Sequence, residues 1–166
     1  MQSVEAKLRK QQSILICSGL GVILFGVWSI IRIVLMRFMD PQHFLEVFTT
    51  AELVDEVLYE RVVMAVVLVI YMLDLILRSY IGLSAIQEGN GKYKKRGTYI
   101  CIATLVSVLV IITDIVDISA FFTGDTGLES FLSSVVEMTI HIATIEIVVA
   151  AIKVRILRQQ IADKTV

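Results

Sequence analysis

The amino-acid sequence predicts an all-α membrane protein: a four-transmembrane-helix antiparallel bundle with both termini cytoplasmic. Three observations carry that expectation. Apolar residues make up 57 % of the 166 and mean hydropathy is +0.82, against roughly 45–50 % apolar in an average globular domain. A soluble domain this small has too little interior to hide so much hydrocarbon, so the excess has to face lipid. The apolar residues fall into four long runs separated by short charged or turn-forming segments. Finally, basic residues are distributed asymmetrically among those segments.

The first span is expected at about residues 14–36. Lys7, Arg9 and Lys10 precede it in the manner of a signal peptide. However, residues 11–31 carry no charge at all, which exceeds the ~7–15 residues of a signal core, and no small-residue cleavage site follows. A retained span is therefore predicted, long enough for a ~30 Å hydrocarbon layer. Asp40-Pro41 then offers a cap and first-turn residue for a short surface helix bearing Phe44, Leu45 and Phe48.

Thr49 with Glu52 forms a capping box ahead of the second span, about residues 57–77, whose helix extends towards Glu88. Gly89-Asn90-Gly91 supplies a helix stop and a turn. The third span, about residues 98–119, follows the basic run Lys92 to Arg96, and Gly124 ends it. Thr126 with Glu129 makes another capping box, and the fourth span covers about residues 130–152 before a basic tail. Short loops make successive helices antiparallel neighbours within a single four-span domain, residues 1–166.

Orientation follows from Lys and Arg in the short loops. Segments 1–13, 78–97 and 153–166 hold 12 of the 15 basic residues. Asp40, Glu46, Glu52, Asp55, Glu56, Asp125 and Glu129 all lie on the other side. The expected location is the plasma membrane. The net charge of −1 argues against nucleic acid as a partner. Cys17 and Cys101 form no Cys-x-x-Cys or Cys/His cluster, so neither a redox pair nor a zinc site is indicated.

Charges inside the spans are the distinctive feature. An ionised side chain at mid-bilayer costs about 2.5–3.5 kcal/mol, so such groups are expected to face the bundle interior. At ~100° per residue, span four aligns Ser130, Ser133, Ser134, Glu137, His141 and Thr144. Span three aligns Thr104, Ser107, Ile111, Asp114 and Asp117, and span two Glu60, Tyr71, Asp74 and Arg78. Asp74 and Arg78 have the spacing of an i,i+4 ion pair. Span one adds Ser18, Gly21, Ser29 and Arg32. Arg61 sits a quarter-turn off its stripe, and Glu146 lies opposite Glu137, which suggests contact with another protomer or with groups near Lys153.

Three functions suit this pattern. The reading taken first is cation or proton handling. Asp114, Asp117, Glu137 and His141 would be the pathway, Arg32 the counter-charge, and Glu146 and Asp74 the inner steps. The alternative is a non-catalytic accessory or scaffold subunit, in which Arg32, Glu60, Arg61, Asp114, Asp117 and Glu137 are interhelical glue. The third is a metal-dependent membrane enzyme with Asp114, Asp117, Glu137 and His141 as ligands. No nucleophile elbow, His-Glu-x-x-His or phosphate loop is present, so an enzyme is the less favoured class. No cofactor is implied, and the expected partners are the bilayer and either a second copy or another membrane protein.

Overall fold

The computed structural model describes residues 2–39, 56–92, 97–123 and 128–163. Within these, the side chains at 2, 3, 36, 56–60, 114, 117, 118, 120–123 and 128–137 lie outside the description. Four helices account for nearly all described residues: α1 (Gln2–Met39), α2 (Glu56–Gly89), α3 (Thr98–Thr123) and α4 (Leu128–Ala162). No strand occurs among the described residues. Even α3, at 26 residues, extends about 39 Å at ~1.5 Å per residue.

Two helices contain segments long and apolar enough to cross a membrane, Val4–Met39 and Arg61–Gly89, with mean hydropathy 2.4 and 2.3. Their apolar residues are mostly turned outward. Only 28 % of the first segment's most apolar stretch and 6 % of the second's is buried. Helix α3 contributes a shorter apolar segment, Thr98–Thr113. The expected surface helix, both capping boxes and the Gly124 stop lie outside the described residues.

The chain divides into two compact units, Met1–Val22 with Tyr80–Val166, and Ile23–Ser79. In the first, α3 packs along α4. The end of α2 lies against the start of α1 through small residues. A Cβ added at Gly19 would meet the Gly82 carbonyl oxygen at 2.8 Å and the Ala85 Cβ at 3.3 Å. One added at Gly89 would meet Ile16 Cγ1 at 2.6 Å and the Gln12 carbonyl oxygen at 3.0 Å. Glycine and alanine at these positions let two backbones approach closely and gain dispersion energy. The largest fully buried side chains are apolar: Leu15, Val22, Ile81, Ile147 and Val154 are all buried to within 1 %.

The second unit has a small core of Ile33 and Val67, flanked by Val63, Met64 and Tyr71. Below it, the predicted Asp74–Arg78 pair forms, with Nε donating to Oδ2 at 2.5 Å. Gly26 leaves room for Leu75 and Arg78, whose Cδ atoms would lie 3.0 and 3.3 Å from an added Cβ.

The expected polar stripes are only partly the buried ones. On α3 the buried face is Tyr99, Ala103 and Ser107, while Thr104 and Ile111 are exposed. Periodicity misjudged Thr104 because its hydroxyl donates to the Ile100 carbonyl at 2.8 Å, so it needs no partner on another helix. Ser107 and Thr144 are buried and do the same, towards the Ala103 and Ile140 carbonyls. On α1, Gly21 has open space where a Cβ would stand, and Gly19 takes the packed position instead.

Candidate functional site

The α2 C-terminus is built as the Gly89-Asn90-Gly91 pattern predicted. Gly91 adopts φ +83°, a conformation that costs glycine little. Its N–H donates to the Glu88 carbonyl at 3.1 Å, and the Lys92 N–H reaches back to the Gln87 carbonyl at 2.9 Å. These are the two bonds of a Schellman cap. They place Glu88 in the last turn of α2, where it faces α3 and α4.

Glu88 is 2 % exposed, and a carboxylate so buried needs compensation for its lost water. Arg155 of α4 provides a fork: Nε donates to Oε1 at 2.9 Å and Nη2 to Oε2 at 3.0 Å. The Tyr99 hydroxyl of α3 donates to Oε2 at 2.5 Å. Arg158 Nη2 donates to the Glu88 backbone carbonyl at 2.8 Å. One residue of α2 is thus tied to both α3 and α4. Charge-assisted, bidentate bonds of this kind are the strongest the side chains offer. Gly97 permits the approach, because a Cβ there would fall 2.5 Å from Arg155 Nη1. Tyr80 and Thr98 add a hydroxyl–hydroxyl bond of 3.1 Å between α2 and α3.

Sequence reasoning did not single out Glu88. A signal was available: it is the one acid in the basic segment 78–97. A lone carboxylate among five cations invites a search for the cation that holds it. Which cation it finds depends on α4, 67 positions further along the chain.

Among the nine charged and titratable candidates, Asp74 is half-buried and paired with Arg78 as described. Glu146 accepts a hydrogen bond from Ser18 Oγ of α1 at 2.9 Å. The expected partner for Glu146 was another protomer or the Lys153 region; the bond found is to a hydroxyl on the neighbouring helix. Arg32 and His141 are half-buried, and each has an interaction partner. Arg61 is exposed. The side chains of Glu60, Asp114, Asp117 and Glu137 lie outside the described residues. Cys17 and Cys101 are free thiols and exposed. Among the described residues, no group of three or more His, Cys, Asp or Glu is placed to hold a metal ion.

Fold and site together define an all-helical protein with two candidate membrane-crossing helices and a buried carboxylate clamp between α2, α3 and α4. Compared with protein-family models, curated proteins and solved structures, the chain matches none.

Proposed function

We propose that this chain is a four-span integral membrane protein, both termini cytoplasmic, that acts as a non-catalytic accessory or scaffold subunit. Its charged groups serve to hold helices in register. The membrane part of this reading is supported by outward-facing apolar side chains. Leu24, Leu73, Ile76, Leu105 and Ile115 are each 60 % or more exposed, large apolar side chains on helix after helix that lipid would cover.

The observation that carries the functional part is how the described charges are spent. Glu88 and Glu146 are bound to side chains of other helices and Asp74 to Arg78 one turn along its own, while Leu15, Val22, Ile81, Ile147 and Val154 fill much of the interior of the first unit. A conducting route needs polar groups lining a passage. Glu88 and Glu146 instead bond from one helix to another. The test is flux of protons and cations into liposomes under a membrane potential, with Glu146→Gln alongside. The expected result is no flux in either protein and a lower melting temperature for the variant. Flux that disappears in a well-folded Glu146→Gln protein would refute it.

Topology is tested separately by labelling single cysteines with a membrane-impermeant maleimide after replacing Cys17 and Cys101. His43→Cys should react in intact cells and Asn90→Cys only after permeabilisation. The reverse pattern, or reaction of both in intact cells, sinks the four-span arrangement.

Cation or proton handling is the second reading, and one observation favours it. Glu146 is exposed on an otherwise apolar stretch of α4, in a groove of about 330 Å³ shared with Gln11 and Lys153. An accessible carboxylate flanked by apolar side chains is the kind of group an ion route uses.

A further inference from the structure

We infer that the groove between the start of α3 and the end of α4 is a binding site for one anionic phospholipid of the cytoplasmic leaflet. The inference rests on the membrane reading proposed above.

The groove has a volume of about 810 Å³. Its lining changes character along its length. At one end stand Gly97, Thr98 of α3, and Arg155 and Gln159 of α4 with Ile156 between them; beyond come Ile100, Cys101, Ile102 and Ile152. Both helices run the same gradient in opposite chain directions: α3 becomes apolar as numbering rises, α4 as it falls. On α4 the gradient runs from Gln159 to Ile152, a rise of about 10 Å at ~1.5 Å per residue. That distance matches a headgroup with the first carbons of an acyl chain beneath it. Ile152 is nearly half exposed, so the apolar end is open to an occupant.

Charge selects which amphiphile. Beside the polar end, Arg155 holds the Glu88 carboxylate and Arg158 donates to the Glu88 backbone carbonyl, so two guanidinium groups stand at one carboxylate of the described residues. Lys92, Lys94, Lys95 and Arg96 stand just before α3 in the sequence. Basic pockets between helices on the cytoplasmic side are suited to phosphate-bearing lipid headgroups. A neutral lipid would bury the same hydrocarbon without meeting that charge. Seated there, the lipid would lie beside the clamp, its headgroup close to the arginine that holds Glu88.

The test uses the full chain in detergent, titrated with phosphatidylglycerol or phosphatidylcholine of identical chains, and native mass spectrometry to count bound lipids. Arg155 is left intact because it holds the clamp. One phosphatidylglycerol should be retained in preference to phosphatidylcholine. Gln159→Glu should weaken that binding about fivefold and Gln159→Lys strengthen it about fivefold, the effect of one charge near a lipid surface. Ile152→Trp should fill the apolar end and remove the tight lipid without lowering the melting temperature. Equal retention of both lipids, or indifference to all three variants, overturns the site. A groove covered by a second copy, seen as a dimer that lipid does not alter, also overturns it. An alkaline wash of native membranes tests the underlying reading: release of the protein refutes membrane insertion itself, whereas failure of lipid selectivity in a retained protein refutes only the site.

Discussion

Replacing Glu88 by Gln exchanges an ionised acceptor for a neutral amide of the same shape. One oxygen remains to accept from either Tyr99 or Arg155, while the new NH₂ faces a guanidinium that can only donate. Removing one partner from a buried ion pair costs about 3–5 kcal/mol. Glu88 is 2 % exposed, which places it in that regime, but the Arg155 side chain is 24 % exposed and can turn partly to water. The lower bound, about 3 kcal/mol, is therefore expected. For a chain of this size, each kcal/mol moves the melting temperature by about 2–4 °C, so Glu88→Gln should melt about 6–12 °C lower. Thermal unfolding in detergent, followed by circular dichroism, is the assay. The double change Glu88→Leu with Arg155→Leu should cost less than the sum of its parts, because no charge is left stranded. A shift under about 3 °C for Glu88→Gln, or strict additivity in the double mutant, would mean the clamp behaves as a surface pair and the reasoning fails.

Two glycines two positions apart on α1 should respond oppositely. Gly19→Ala would press a Cβ onto the Gly82 carbonyl oxygen at 2.8 Å and should destabilise by about 1–3 kcal/mol. Gly21→Ala meets nothing within 4 Å and should gain up to about 1 kcal/mol in helix propensity; a loss at Gly21 as large as at Gly19 would contradict this packing. Gly91→Ala, at φ +83°, should cost about 1 kcal/mol. It should leave the clamp's coupling energy intact, which a double-mutant cycle with Glu88→Gln would check. Tyr99→Phe removes one hydroxyl from the Glu88 carboxylate while Arg155 remains, so its melting temperature should fall by less than half as much as that of Glu88→Gln.

Much of the helical framework was legible in the residues. Four apolar runs became four helices of 38, 34, 26 and 35 residues, two of which contain segments long and apolar enough to cross a membrane. Gly89-Asn90-Gly91 announced its own cap, since only glycine takes φ +83° without strain. The i,i+4 spacing of Asp74 and Arg78 announced their pair. These are local facts, settled by spacing along one helix and by backbone sterics.

What sits between helices was a matter for tertiary structure. Periodicity says which residues share a face, but not which face turns inward when nearly every residue is apolar and the polar ones can bond their own backbone. Thr104, exposed and bonded to Ile100, and Ser107, buried and bonded to Ala103, look alike in sequence for that reason. The partners of Glu88 and Glu146 lie 67 and 128 positions away in the chain, beyond any local pattern. Composition and periodicity identified the helices; only packing three of them together chose which carboxylate would be buried and which arginine would hold it.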